Sequence, residues 1–296
     1  MKQLVVLSGK GGTGKTTLAA AFAQIASQES AVVLADADVD AANLELVLAP
    51  EERERHEFWS GQVAVIDPAL CSACGICKQV CRFEAILESQ GPESSFMVDP
   101  LACEGCAACF YQCPQEAIRM EDQLAGLWFR SDTRFGPLFH AHLFAGQENS
   151  GKLVTLIKQQ ARLLALDRGA DLLLVDGPPG IGCPVISASA GADMALHVVE
   201  PTISGVHDLE RIMATTDHFG LPSLVIINKA DLNLSRAQEI TAYCRERKVP
   251  LVGEIPYDVD VTKAMVRGEP VTSNGRGPVT EAIRGAWSRI REGLFA

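Results

Sequence analysis

Short apolar runs that end in glycine or carboxylates recur along this chain, with longer helical stretches between them. Residues 3–9 (QLVVLSG) and 31–38 (AVVLADAD) predict buried parallel strands, and the alanine-rich stretch 15–27 between them predicts a helix. Further strands are predicted at 171–176, 194–200, 223–228 and 251–255, and helices near 150–168, 204–219 and 235–248. Strands that alternate with helices predict an α/β fold with a doubly wound, mostly parallel sheet that binds ligands at the carboxyl ends of its strands.

This alternation is interrupted in the first half of the chain. After Pro50 the sequence becomes charged (EERERHEF), and from about residue 61 to 121 it has many cysteines and no long helical period. Two parts of this segment repeat 32 residues apart, CSACGICKQVCRFEAI and CEGCAACFYQCPQEAI, which indicates a duplication. We therefore expect a discontinuous larger domain, residues 1–58 plus 122–296, interrupted by a small α+β domain at 59–121.

Composition and charge narrow the class of protein. With 296 residues, 47% hydrophobic and 21% charged, the chain has the composition of an ordinary globular protein, and its net charge of −11 argues against non-specific nucleic-acid binding. We find neither an apolar run near the roughly 20 residues of a membrane span nor a signal peptide, so we expect a cytoplasmic protein. Ten cysteines in that reducing compartment argue against disulfides, and eight of them between 71 and 113 favour metal or cluster binding.

A phosphate-binding motif follows the first predicted strand. Residues 9–16 (GKGGTGKT) match G-x-x-x-x-G-K-[ST] between a strand and a helix, which is the context of a P-loop NTPase. Its glycines allow backbone N–H groups to face the phosphates, and the helix N-terminus favours their negative charge. We expect Lys15 to reach the β- and γ-phosphates and Thr16 to bind Mg²⁺. The expected nucleotide-binding residues of this loop are Gly11, Gly12, Thr13, Gly14, Lys15, Thr16 and Thr17.

Carboxylates end two of the predicted strands. Asp36, Asp38 and Asp40 follow the second strand, and Asp176 ends the apolar run LLLVD. Phosphoryl transfer to water needs one group that orients the nucleophile and another that holds the metal. One of the first three carboxylates could instead cap the helix after Val39.

The cysteine repeat has the spacing of a two-cluster bacterial ferredoxin. Both halves read C-x₂-C-x₂-C-x₃-C, and in that pattern each fourth cysteine ligates the other cluster. One [4Fe–4S] cluster is thus expected on Cys71, Cys74, Cys77 and Cys113, and the other on Cys81, Cys103, Cys106 and Cys109. Structural zinc is the alternative, but it favours paired CxxC units separated by a longer loop.

The loop KGGTGKTT resembles that of the MinD/ParA group, the deviant Walker A ATPases that include the nitrogenase iron protein and Mrp-type ATPases. The resemblance implies that Lys10 reaches the nucleotide of a facing subunit, so that ATP is sandwiched in a homodimer. It also implies that Asp38 orients the attacking water, with Asp36 and Asp40 as alternatives. ATP is favoured over GTP because the loop is of the MinD type.

Two further motifs resemble the same group. Residues 176–180 (DGPPG) resemble its Walker B and second switch, which implies that Asp176 binds Mg²⁺ through water and that Gly180 follows the γ-phosphate. By the same resemblance Asn228 contacts adenine, and the loop around Pro256 and Tyr257 borders the base.

Three other features allow a structural or a functional reading. His140 and His142 alternate with apolar residues, which predicts one strand face with paired or solvated rings and disfavours a metal. Cys183 follows the second switch, where we expect a small buried thiol. The C-terminal segment 280–296 has apolar residues at helical spacing and few basic ones, so we expect it to dock on the sheet and not on a membrane.

The leading hypothesis is a Mg²⁺-dependent ATPase in which the nucleotide cycle gates electron transfer through two [4Fe–4S] clusters toward a redox partner protein. One alternative is a carrier that hands iron–sulfur clusters to acceptor proteins, as Mrp-type relatives do. Another is a MinD-like positioning ATPase whose clusters are structural.

Overall fold

A computed structural model describes residues 1–88 and 95–296, apart from the side chain of Asn274. The described strands are β1 (Lys2–Ser8), β2 (Val32–Asp36), β3 (Glu51–Ile66), β4 (Ile86–Glu88), β5 (Phe96–Val98), β6 (Ile118–Thr133), β7 (Gly136–Leu143), β8 (Leu172–Pro179), β9 (Met194–Val199), β10 (Ser223–Asn228) and β11 (Leu251–Ile255).

The helices surround these strands in the chain order expected of an α/β protein. They are α1 (Lys15–Ala26), α2 (Leu44–Leu48), α3 (Ile76–Val80), α4 (Ala108–Gln112), α5 (Ser150–Asp167), α6 (Cys183–Ser189), α7 (Gly205–His218), α8 (Leu234–Glu246), α9 (Val259–Val266), α10 (Val271–Asn274) and α11 (Pro278–Leu294), with a 3₁₀ turn at Ala230–Leu232.

Nine strands form one sheet in the order β11-β10-β9-β1-β8-β2-β7-β6-β3. The pairs from β11 to β7 are parallel, which confirms the predicted, mostly parallel α/β sheet. β1 lies between β8 and β9 and is buried except at its first residue. The loop after β1 therefore opens at the carboxyl end of the sheet, where α/β proteins bind ligands.

The C-terminal helix α11 packs into the main hydrophobic core. Its buried face includes Ile283, Trp287 and Ile290, and the Trp287 ring stacks on Phe22 of α1 with centroids 5.6 Å apart. This packing confirms the prediction that the C-terminal segment docks on the sheet.

The charged run after Pro50 is a strand, although the sequence predicts no regular element there. Residues 51–57 are all exposed and begin β3, at one edge of the sheet. Charged side chains are common on edge strands because they discourage pairing with another chain. A prediction based on apolar runs misses this strand because its exposed residues are charged.

The chain divides into two compact units. The first comprises residues 1–56, 128–142 and 150–296, and the second, here called the cysteine unit, comprises 57–127 and 143–149. The cysteine unit has its own small core of Ala64, Cys77, Ile86, Cys109 and Ile118, and an antiparallel pair, β4 with β5. Residues 89–94, within the range predicted for the small domain, lie outside the described residues.

Candidate nucleotide and cysteine sites

The loop between β1 and α1 adopts backbone angles that require glycine. Gly12 and Gly14 have φ of +80° and +89°, in the left-handed region. A Cβ on Gly14 would lie 2.3 Å from Nδ2 of Asn228, so this position also lacks room for a side chain. The Nδ2 of Asn228 donates to the Thr13 carbonyl at 2.8 Å and so braces the loop.

A cavity of about 1050 Å³ opens beside this loop. It is large enough for a nucleotide, because ligand cavities commonly measure about 300–1,000 Å³. Most of the residues predicted to bind nucleotide line it: Gly11, Gly12, Gly14, Lys15, Thr16, Thr17, Asp38, Asn228, Pro256 and Tyr257. Thr13 is buried and lines a smaller neighbouring cavity instead.

Asp176 is a buried carboxylate at the carboxyl half of β8. Asp176 is 1% exposed, and the polar side chains that act on it include those of Lys15 and Thr16. Burial raises its pKa to about 6, against the opposing effect of the Lys15 ammonium. A buried carboxylate beside the Thr16 hydroxyl offers the oxygen ligands that Mg²⁺ prefers, so these residues fit the predicted ion.

The three carboxylates after β2 have different environments. Asp36 is fully buried and accepts hydrogen bonds from the backbone N–H groups of Asp38 (3.1 Å) and Leu44 (3.0 Å), so it organises the turn into α2. Burial, and then the charge of Asp176, raise the pKa of Asp36 well above its ordinary value. Asp38 is half-buried and lines the large cavity, whereas Asp40 is an exposed lining residue. Only Asp38 therefore combines partial burial with a place in the cavity.

Lys10 is held by its own chain at the ends of neighbouring strands. Its Nζ donates to Thr202 Oγ1 at 3.0 Å and lies 3.8 Å from Glu200 Oε2. Lys229 also pairs with Glu200. Lys10 lines the smaller cavity together with Thr13 and Glu200.

The loop predicted to border the base is tied to the residues that follow β10. Asp231 Oδ1 accepts a hydrogen bond from the Tyr257 backbone N–H at 2.6 Å. The amide of Asn228 is directed at the phosphate-binding loop, and its contact with adenine stays a prediction. The sequence reasoning missed Glu200 and the apolar cavity wall from α9, which includes Val261 and Met265. A carboxylate at the end of the β9 run was the available signal for Glu200.

The eight clustered cysteines line two small cavities in the cysteine unit, four to each. The first cavity has Cys71, Cys74, Cys77 and Cys113 among its lining residues. The second has Cys81, Cys103, Cys106 and Cys109. Each group thus takes three cysteines from one half of the repeat and its fourth from the other half. Burial raises the pKa of the Cys77 and Cys109 thiols, and the neighbouring cysteines raise it further, an effect that a bound cation would oppose.

The two halves of the repeat share an unusual backbone. Ala73 and Gly105 have φ of +54° and +60°, Gly75 and Ala107 have +76° and +60°, and Glu84 and Glu116 have +55° and +50°. All three pairs are 32 residues apart, the period of the cysteine repeat. A non-glycine residue with positive φ is uncommon, so its recurrence at equivalent positions marks two loops of the same design.

Comparisons with known proteins agree with this fold and loop. The sequence profile of the CobQ/CobB/MinD/ParA nucleotide binding domain matches residues 4–271. An uncharacterized protein of Methanocaldococcus jannaschii is 32% identical over 98% of this chain and 96% of its own length. The septum site-determining protein MinD of Bacillus subtilis is 24% identical over 97% of this chain and 88% of its own.

Solved structures show the same fold. MinD of Pyrococcus horikoshii, determined with Mg-ADP, has a TM-score of 0.61 at 18% identity and covers 98% of this chain and 95% of its own. Among the described residues, none of the helices is both long and apolar enough to cross a membrane. The extent of the profile match and the full-length similarity to the archaeal relative place this chain in the CobQ/CobB/MinD/ParA family of nucleotide-binding proteins.

Proposed function

We propose that this protein is a dimerising, Mg²⁺-dependent ATPase that couples its nucleotide state to electron transfer through two [4Fe–4S] clusters. The observation that carries the proposal is the division of eight cysteines between two cavities, with one cysteine exchanged between the halves of the repeat. That exchange is the ligand pattern of two-cluster bacterial ferredoxins. The cysteine unit is then an inserted ferredoxin-like domain, and its clusters would supply one-electron transfer.

The nucleotide cavity suggests a role for each residue. Lys15 and the loop N–H groups would bind the phosphates, and Thr16 and Asp176 would hold Mg²⁺, which neutralises charge on the phosphate oxygens. Asp38 would orient the attacking water from its half-buried place in the cavity. Lys10 would leave Glu200 and Thr202 to reach the nucleotide of a second subunit.

The coupling rests on the order of the chain. In the sequence, the cysteine unit lies between Asp38 and Asp176, both of which belong to the first unit. A change at the γ-phosphate that moves the segments around these two carboxylates would reach the cysteine unit through the chain connections on either side of it. The electrons would pass to a separate redox partner protein.

The clusters are tested by anaerobic purification, with iron and sulfide counted per chain. We expect about eight iron atoms and the EPR signal of reduced [4Fe–4S] clusters. The exposed Cys74 is the first residue to replace, since Cys74→Ser removes one ligand with little loss of packing, and the iron content should fall. The sequence predicted a buried thiol at Cys183, but this was wrong, because Cys183 is exposed at the start of α6. Since it is exposed like Cys74 and lies outside both cavities, Cys183→Ser is the matched control. Colourless protein that contains zinc would exclude the clusters.

The coupling has its own test. Cluster potentials and reduction rates should differ among the nucleotide-free, ADP-bound and ATP-bound protein. Identical values in all three states would reject the coupling and leave the ATPase and the clusters in place. The same anaerobic protein tests the carrier alternative, because transfer of radiolabelled iron to an apo-protein would favour a cluster carrier.

A second candidate is a MinD-like positioning ATPase, and the relatives favour it over electron transfer because several are named septum site-determining proteins. ATP-dependent sedimentation with lipid vesicles tests it. The packing of α11 on the core predicts no such sedimentation, since the apolar face that would enter a membrane is already buried. Lipid binding that is lost on removing α11 would favour positioning.

A further inference from the structure

A cluster of two histidines and one glutamate lies outside the two sites already described. His140 and His142 are on β7, and Glu45 is in the first turn of α2. The Nδ1 of His140 is 2.8 Å from Glu45 Oε2, and the Nε2 of His142 is 3.3 Å from Glu45 Oε1. One donor atom from each of the three residues lies within 4.8 Å of the other two. All three belong to the first unit.

The His140 ring is fixed in place by its surroundings. It is 5% exposed, and the Phe129 ring stacks on it with centroids 5.0 Å apart. Its Nε2 is 3.0 Å from the Ser131 hydroxyl. Its Nδ1 is buried and faces Glu45 Oε2 at 2.8 Å, and this contact is the main cause of the lowered pKa of Glu45. One ring nitrogen thus faces the carboxylate of the cluster, while the opposite nitrogen is held by Ser131.

This pattern is typical of a metal-binding histidine. A ligating imidazole usually binds metal through one nitrogen and makes a hydrogen bond through the other, which fixes the ring orientation. Here Ser131 would play that orienting role. Two imidazoles and one carboxylate are a donor set used by Zn²⁺ and related divalent transition metals, whereas Mg²⁺ prefers oxygen ligands.

We propose that Glu45, His140 and His142 form a binding site for a divalent transition metal of the zinc class. His142 and Glu45 are partly exposed, with side chains 43% and 23% accessible, so the site opens to solvent. Three protein ligands and an open side leave one coordination position for water or another ligand. The metal would fasten α2, which follows the Asp38 segment, to β7.

The alternative without a metal is that the two histidines only form ion pairs with Glu45. An ion pair of this kind needs no third donor. His56 and Glu54 supply that simpler case within the same unit, since His56 Nε2 is 3.4 Å from Glu54 Oε2 and both side chains are exposed. His56→Ala is therefore the matched control.

The test uses the full-length, anaerobically prepared, nucleotide-free protein in excess Mg²⁺, titrated with Zn²⁺ by calorimetry. Wild type should bind one more equivalent of Zn²⁺ than His142→Ala or Glu45→Gln, or bind it at least about tenfold more tightly. His56→Ala should behave as wild type. Co²⁺ separates the site from the cysteines, because bound thiolates give intense near-ultraviolet bands and nitrogen or oxygen ligands do not.

Thermal unfolding gives a second readout that does not depend on stoichiometry. Zn²⁺ should raise the Tm of wild type and of His56→Ala, but not that of His142→Ala, because only a ligand of the folded state stabilises it. Equal Zn²⁺ binding and equal Tm shifts in wild type and His142→Ala would overturn the proposal. Since the comparison is between variants of this site, it holds whether or not the cysteines carry iron.

Discussion

Asp36 and Asp38 are two residues apart, but the structure separates their tasks. Asp36 uses both carboxylate oxygens on backbone N–H groups, whereas Asp38 lines the nucleotide cavity. The sequence alone leaves Asp36, Asp38 and Asp40 as candidates to orient water. Both oxygens of Asp36 already accept backbone hydrogen bonds, and Asp40 is exposed, so Asp38 is the residue that we propose for this role.

We expect Asp38→Asn and Asp36→Asn to fail in different ways. Asp38→Asn should keep the fold and ATP affinity but lower kcat by about 10²-fold or more, since the amide is a poor acceptor for the proton of the attacking water. Asp36→Asn should lower the free energy of unfolding by about 1–2 kcal/mol, because one backbone N–H loses its acceptor. Single-turnover hydrolysis and urea unfolding measure the two effects. A catalytic loss at unchanged stability in Asp36→Asn would reverse the assignment.

At the scale of elements, α6 follows the DGPPG segment and is fastened at its C-terminal end by a buried lysine of α5. The Nζ of Lys158 donates to the carbonyls of Ser187 (2.8 Å), Ala188 (2.9 Å) and Ala190. The carbonyls at a helix end need donors from elsewhere, and a lysine also complements the negative end of the helix dipole. One side chain thus caps the C-terminal end of α6, in addition to the packing of its buried face.

Lys158→Met should lower the free energy of unfolding by about 2 kcal/mol, since the apolar chain fills the space but leaves three carbonyls without this donor. Lys152→Met on the same helix is the control, because Lys152 is exposed, and should change stability by no more than about 0.5 kcal/mol. Urea unfolding compares the two variants. Equal stability for both would show that other groups hold α6 in place.

His197 should make the stability of the protein depend on pH, because its buried ring lies where β9, α7 and β10 pack together. Its Nε2 lies 3.0 Å from Ser223 Oγ and 3.3 Å from Thr216 Oγ1. Burial lowers its pKa to about 4, from 6.5. Above pH 6.5 the ring is neutral in both the folded and the unfolded state, so its full contribution to the free energy of unfolding is present there. Below that pH only the unfolded state takes up the proton, and stability falls until the folded state is protonated near pH 4.

The expected loss between pH 7.5 and pH 5 is about 2 kcal/mol of unfolding free energy from this one residue. His197→Gln should remove that part of the pH dependence, whereas His218→Gln, at an exposed position, should keep it. Urea unfolding at the two pH values gives the comparison. The same loss in wild type and His197→Gln would mean that His197 is not the group responsible.

Features that depend on neighbouring residues in the sequence could be predicted, whereas contacts between distant residues could not. β10 and β11 have the bounds that the sequence predicts. For β10 the reason is that a buried parallel strand is a continuous apolar run, whereas β11 is a partly buried edge strand. The grouping of Glu45 with His140 and His142 could not be predicted, because a strand and a helix far apart in the chain bring the three residues together. The sequence pattern of the two histidines alone had disfavoured the metal that we now propose there. The pairing of Lys10 with Glu200 was hidden for the same reason. The cysteines that line each cavity are grouped as the two-cluster ferredoxin spacing predicts, whereas their binding of clusters stays a prediction.

At the scale of the whole molecule, the position of Lys10 bears on whether one chain can hydrolyse ATP alone. Lys10 pairs with Glu200 and Thr202 of its own chain and lines a different cavity from the one that contains Lys15 and Asp38. If Lys10 acts only on the nucleotide of a second subunit, a monomer lacks one cation of the complete site. Hydrolysis per chain should then rise with protein concentration, in step with ATP-dependent dimerisation seen by light scattering.

Mixing two inactive variants separates action within a chain from action between chains. Lys10→Ala should bind ATP but hydrolyse it about 10³-fold more slowly, the effect of removing a cationic finger. Asp38→Asn should be inactive for a different reason. In a mixed dimer the Lys10→Ala subunit keeps its own Asp38 and receives Lys10 from the Asp38→Asn subunit, so one of the two sites is complete.

An equal mixture should therefore recover about a quarter of wild-type activity, because half of the random dimers are mixed and half of their sites are complete. Arg236→Ala, at an exposed pair with Glu239, controls for the loss of a surface cation and should match wild type. No recovery in the mixture, with dimers still present by light scattering, would place the action of Lys10 within its own chain. Hydrolysis per chain that does not depend on protein concentration would also indicate that Lys10 acts within its own chain, since a site completed by a second subunit cannot form in a monomer.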